Sequence, residues 1–165
     1  MMRTTLGLVV GAALVTAACG PSTPPVDTAK RAAEVSALAD GYLDGYLDAF
    51  PYHAIVIGAR ERHPSLLGDH SLAGLKKWQA REDELLASLK TIDVKAIDGM
   101  AEAHTYKFLQ HLLESSQGFR ACRTELWSVS PTWTGWQAAL PQLAAAQAID
   151  KPADQQDFLA RWSQV

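Results

Sequence analysis

The sequence predicts an all-α protein. Three observations carry this expectation. Apolar residues recur with a helical period over nearly all of the chain after residue 27. Helix boundaries are marked by suitable residues: Pro51, Ser71, Asp93, Gly118 and Pro152. Strand signals are poor, since Ala54 to Ile57 is the only β-branched run and it is short.

The first 18 residues have a different character. Arg3 precedes an apolar run from Leu6 to Val15, and Thr16-Ala17-Ala18 leads into Cys19. A positive n-region, an apolar h-region of about ten residues and a small-residue cleavage site describe an export signal rather than a spanning helix. A cysteine directly after two alanines matches a bacterial lipobox, so residues 1–18 are expected to be removed and Cys19 to carry lipid such as palmitate. The expected location is the bacterial cell envelope, lipid-anchored and facing the periplasm. Gly20, in place of an aspartate after the cysteine, leans this towards the outer membrane. Residues 19–27 then form a tether, in which Gly20-Pro21-Ser22-Thr23-Pro24-Pro25 cannot be helical. No later segment reaches eighteen uninterrupted apolar residues, so no second membrane span is expected.

Along residues 28–165, the first helix is expected from Thr28 to Ala49. One stripe carries Val35, Leu38, Tyr42, Leu43, Tyr46, Leu47 and Phe50, and another carries Asp40, Asp44 and Asp48 as a wet face. Pro51 ends this helix, because its ring disfavours a helical residue before it. Ser71 caps a helix bearing Leu72, Leu75, Trp78, Leu85 and Leu89 that closes near Lys90. Asp93 caps a third, bearing Ile97, Met100, His104, Phe108, His111 and Leu112 and stopped by Gly118. Trp127, Trp133 and Trp136 lie in a polar, proline-containing loop before an Ala-rich helix, with Pro141 at its start or producing a kink. Pro152 opens a last helix whose apolar stripe is Phe158, Leu159, Trp162 and Val165. That stripe is still running at residue 165, which leads us to expect an incomplete domain.

Composition narrows the function. The net charge is −3, and removing Arg3 with the signal makes it one unit more negative. No basic block tracks a phosphate backbone, so nucleic acid is not an expected partner. At 48% hydrophobic residues the chain can build a core, which excludes wholesale disorder. With Cys19 lipidated, Cys122 has no partner for an internal disulfide, and it is expected to be a buried structural cysteine.

Candidate chemistry is sparse. His104 and His111 lie seven apart, about 10 Å along a helix, too far to share one zinc ion. They are expected to fill a partly buried helix face. Glu61, His63, Asp69 and His70 could bind a divalent cation or transfer protons, although a solvated loop is favoured. The tryptophan loop could stack on a ligand, although a core plug is favoured. There is no H-E-x-x-H, C-x-x-C, G-x-S-x-G, phosphate loop or dinucleotide glycine pattern. No catalytic, cofactor-binding or metal-binding residue is assigned, and Cys19 is the one assigned site, for lipidation.

Several stretches together resemble the N-terminal part of the bacterial family named domain of unknown function 885 (DUF885). They are Tyr46-Leu47-Asp48-Ala49-Phe50-Pro51 with Ala54 and Gly58, Leu67-Gly68-Asp69-His70-Ser71, Ile92-Asp93, Trp127-Ser128-Val129-Ser130-Pro131 with Gly135, and Asp157-Phe158-Leu159-Ala160-Arg161-Trp162. Their order spans nearly all of Tyr46 to Val165. The resemblance implies a large, mostly helical, exported protein, often a lipoprotein, similar to zinc metallopeptidases of the gluzincin type. In that family an H-E-x-x-P-G-H-H-like segment lies far downstream of the matched region. It is absent here, so the resemblance implies zinc and peptidase activity only for full-length relatives. This chain is expected to be the front of such a protein, with a peptide substrate only in the full-length form. The alternative is a complete small helical lipoprotein that binds a partner or ligand without catalysis.

Overall fold

A computed structural model describes residues 27–59, 62–63, 65–127 and 136–164. The signal, the tether up to residue 26 with Cys19, Glu61 and Trp133 lie outside the described residues, as do the side chains of Trp127 and Trp136. Six α-helices are present: α1 (Thr28–Ala49), α2 (Pro51–Val56), α3 (Leu72–Lys90), α4 (Ala101–Phe119), α5 (Trp136–Ala146) and α6 (Pro152–Trp162). Short 3₁₀ turns lie at Val94–Ile97, Arg120–Cys122 and Thr124–Trp127. No strand occurs among the described residues, so the fold is all-α.

The helix boundaries follow from local chemistry. Asp27 accepts a hydrogen bond from the Lys30 amide at 3.0 Å and starts α1. Pro51 stops α1 and, with its fixed φ, begins α2. The run Ala54–Ile57, β-branched in composition, is therefore helical up to Val56, because tertiary packing outweighs a four-residue propensity. Ser71 Oγ accepts from the Gly74 amide at 3.1 Å, the expected cap of α3. Asp93 caps only the 3₁₀ turn Val94–Ile97, through the Lys95 amide. Gly99 then turns the chain with φ +82°, and α4 begins at Ala101. Gly118 lies inside the last turn of α4 and does not stop it. Pro141 sits in the interior of α5, where its ring removes one helix hydrogen bond.

α1, α3 and α4 pack against one another and enclose the core. Val35, Leu85, Leu86, Leu89, Ile97, Leu109 and Leu113 form its centre, with Ala103 and Tyr106 beside them. This corrects the expected face of α4. Its buried stripe is Ala103, Tyr106, Leu109 and Leu113, whereas His104, Phe108 and His111 are exposed. The chosen stripe kept a helical period but lay on the opposite side, because α4 carries apolar residues on two faces. Leu43 and Leu72 are exposed as well. In α6 the expected apolar stripe is also displaced: Phe158 and Trp162 are half-buried, Leu159 is exposed, and the fully buried residue is Arg161. Val165 lies outside the described residues. Cys122 is exposed, so the expectation of a buried structural cysteine is wrong. The 3₁₀ turn that continues α4 carries it past the end of the bundle.

Two glycines let the chain pass where a side chain would collide. Gly68 has φ +105°, and a Cβ there would lie 2.9 Å from Pro51 Cδ. Gly74, in the first turn of α3, would place a Cβ 2.2 Å from the Asp69 carbonyl oxygen. Together they seat the segment Leu67–Ser71 against the α1–α2 corner and the start of α3. Replacing Gly74 with Ala is expected to destabilise the fold by about 1–3 kcal/mol through this clash. Leu113→Ala should lose about 2–5 kcal/mol as a core cavity. Urea unfolding of both variants checks this, and a wild-type midpoint for either would contradict the packing described.

Candidate functional site

The end of α1 projects Tyr42, Tyr46 and Phe50 at four-residue spacing, which places them on one helix face. Trp78, almost fully buried on α3, fills the space between them. Its ring centroid lies 5.6 Å from Tyr42, 5.8 Å from Tyr46 and 5.9 Å from Phe50. The last two contacts are edge-on, a favourable arrangement for aromatic quadrupoles. His53, from α2, stacks on Tyr46 at 5.1 Å with only 8° between the ring planes. Tyr52 touches His53 and comes within 6.2 Å of His70. α4 closes the far side with Leu112, Ser116 and the exposed Phe119. The result is an open groove of about 480 Å³.

Glu82 lies at the base of this groove and is only 4% exposed. It sits one helical turn beyond Trp78, where the apolar stripe of α3 would call for a hydrophobic residue. α4 satisfies it. Ser116 Oγ donates to the Glu82 carboxylate at 2.8 Å, and Arg120 Nη2 at 3.2 Å. Arg120 is shared: it also pairs with Asp83 at 2.9 Å and donates to the Gln79 carbonyl at 3.0 Å. Arg120 and Gln117 together hold the Asp83 carboxyl below its usual range. Burial pushes the Tyr46 hydroxyl up to about 12, with Tyr52, Tyr42 and the Glu82 charge acting in the same direction. Burial raises Tyr42 as well, with Glu82 adding to it. Both tyrosines are therefore neutral hydrogen-bonding groups at any physiological pH.

A second groove of about 630 Å³ adjoins the first and shares Tyr52 and His70 with it. Leu67, Leu72, Leu75, Leu140 and Leu143 supply its hydrophobic walls, and Glu125 supplies a carboxylate held by Arg123. Tyr52 and His70 thus stand on the ridge between two concave surfaces.

The polar loop suggested by the sequence separates into distinct roles. His63 Nε2 lies 2.8 Å from Asp48 Oδ1 on α1, and Arg62 pairs with Asp44 at 2.7 Å and with Asp48 at 3.3 Å. Two of the three aspartates of the wet face thus hold this loop, while all three remain exposed. The hydrogen bond from His63, followed by those from Arg62, holds the Asp48 carboxyl below its ordinary value. On the loop's other side, Arg161 of α6 donates to the His63 carbonyl at 2.8 Å. Gln164 donates to the Ser65 carbonyl at 2.7 Å and accepts from the Leu67 amide at 3.2 Å. Asp69 accepts from the Ser71 amide, and His70 turns towards the aromatic groove. Among the described residues no group of three or more His, Cys, Asp or Glu could hold a metal ion. His104 and His111 are exposed on α4, away from the groove-lining residues, and their expected partial burial is wrong.

Sequence reasoning grouped Tyr42, Tyr46, Phe50 and Trp78 as core and passed over Glu82. The signal was present: Trp78, Glu82, Leu85 and Leu89 follow a 4-3-4 spacing, so a carboxylate stands within the buried stripe of α3. Comparison with family models, curated proteins and solved structures finds no match. Among the described residues no helix is long and apolar enough to cross a membrane.

Burial, and secondarily His70, hold the His53 imidazole below its ordinary 6.5. Between those two values the unfolded chain binds more protons, so stability falls as pH drops through about 6.5. Asp48 acts in a separate window, below its ordinary 3.8, where its contribution disappears as the carboxylate protonates. Thermal melts from about pH 7.5 to about pH 5.5 should show a decline that His53→Gln makes shallower. Parallel declines in the two proteins would contradict the burial of His53.

Proposed function

We propose that this chain is a lipid-anchored helical protein of the bacterial envelope, equivalent to the N-terminal region of a zinc-metallopeptidase-like DUF885 protein. In this reading residues 1–18 are the signal, Cys19 carries the lipid, and residues 28–165 form a non-catalytic scaffold. Its aromatic groove is a wall that receives peptide.

One observation supports the reading above others. Three of the five family-like segments, far apart in the sequence, meet at one place in the fold. Tyr46–Pro51 forms the α1–α2 corner, Leu67–Ser71 is seated on it through Gly68, and α6 reaches the same loop through Arg161 and Gln164. The groove opens beside this junction, and Tyr46, Phe50 and His70 of those segments line it. The described residues offer no zinc ligand set, so no hydrolytic step is assigned to them.

The alternative, a small helical lipoprotein that binds a partner without catalysis, draws support from the α1–α3–α4 core. That core has its own capped helices and closed interior. The two readings share the anchor and the groove, and they differ in whether a zinc-binding segment completes the protein.

The anchor is tested by labelling cells that express the full chain with radioactive palmitate. Wild type is expected to be labelled and to sediment with membranes, while Cys19→Ser takes up no label and retains its signal. Label on the variant would overturn the lipoprotein reading. The purified protein with added zinc should show no peptide hydrolysis, and chelator-sensitive turnover would overturn the non-catalytic assignment.

A further inference from the structure

The groove has an unusual balance of charge. Aromatic rings, with the imidazoles of His53 and His70, make up most of its rim and walls; among the described residues Glu82 is its only carboxylate and no lysine or arginine lines it. Arg120 does not cancel that carboxylate, because the same guanidinium also pairs with Asp83. Glu82, Asp83 and Arg120 together carry one net negative charge, with Glu82 in the groove lining and Asp83 exposed beside it. Aromatic faces attract a cation through their quadrupole, most strongly where water is excluded. A fixed anion below them acts in the same direction. A neutral apolar group would gain from the rings alone, and an anion would be repelled by both. The cavity of about 480 Å³ is ample for one long side chain.

We infer that the groove lined by Tyr42, Tyr46, Phe50, Trp78 and Phe119 over Glu82 binds the ammonium group of a lysine side chain in a peptide. This deepens the reading of the groove as a peptide-binding wall and rests on it. The alkyl stem lies along Phe119 and Leu112, and the ammonium lies over the rings towards Glu82. The selectivity is for positive charge on an apolar stem.

Binding of three blocked pentapeptides to the full chain tests this by calorimetry, at about pH 8 and at about 0.15 M salt to screen the chain's overall charge. The peptides carry lysine, norleucine or glutamate at the centre of four alanines. The lysine peptide is expected to bind about tenfold more tightly than the norleucine peptide, and the glutamate peptide more weakly than either. Glu82→Gln should reduce the preference for the lysine over the norleucine peptide to less than about threefold. Phe119→Ala removes an exposed ring, leaves the core intact, and should weaken the lysine peptide about threefold. If Glu82→Gln does not fold, as judged by circular dichroism, the lysine-to-norleucine ratio and Phe119→Ala decide the matter. Equal binding of lysine and norleucine peptides would overturn the ammonium inference and leave the peptide-binding wall standing. Absence of binding by all three would overturn both. Choline, a free organic ammonium, is the fourth ligand. If it binds as tightly as the lysine peptide, the ammonium site stands and the peptide reading falls.

Discussion

A carboxylate buried between two helices constrains the rest of the structure. Glu82 stands on α3 where a leucine would pack, and a charge held there is tolerated only if the neighbouring helix supplies donors. Ser116 on α4 and Arg120, four residues on at its C-terminal end, do so at 2.8 and 3.2 Å. Only one rotation and one register of α4 against α3 bring both donors to the same carboxylate. Apolar packing alone would not choose so narrowly, since α4 has apolar residues on two faces. The clasp thus explains why Tyr106, Leu109 and Leu113 face inward and Phe108 faces water. It also places Phe119 at the rim of the groove.

α1 is fixed by the same arrangement. Trp78 lies one turn before Glu82, and the bulk of its ring sets where Tyr42, Tyr46 and Phe50 can rest. Beyond Pro51 the chain cannot wander. The loop that carries His63 and His70 is held on one side by Asp44 and Asp48, and on the other by Arg161 and Gln164. Gly68 and Gly74 remove the atoms that would keep that loop away. The concave aromatic surface therefore forms where three constraints meet: a buried charge, a wedged indole and a loop held from both sides.

Much of the architecture was legible in the sequence because it is written in local chemistry. The end of Thr28–Ala49 and the start of Leu72–Lys90 follow from Pro51 and Ser71, residues whose effects reach only a turn or two. The errors came where distant contacts decide. Nothing local says which of two apolar faces of α4 is buried or that Cys122 lies outside the bundle. The candidate site was half legible. Its aromatic residues were noticed as core, and the loop residues His63, Asp69 and His70 were noticed as a group. The fold gave the loop residues separate partners and joined His70 to the aromatics. Glu82 could have been found from its register within the apolar stripe, but its partners, Ser116 and Arg120, lie over thirty residues away.

The most direct measurement on this account is the coupling energy between Glu82 and Arg120. It comes from a double-mutant cycle with Glu82→Gln, Arg120→Gln and the double variant, each unfolded in urea. If the clasp fixes the register of the two helices, the coupling should be about 1.5–3 kcal/mol, and each single variant should be nearly as unstable as the double. The same cycle on Arg120 and the exposed Asp83 should give less than about 1 kcal/mol. A Glu82–Arg120 coupling near zero, with additive single effects, would mean that packing alone sets the α3–α4 interface. The groove would then lose the constraint on which this account places it.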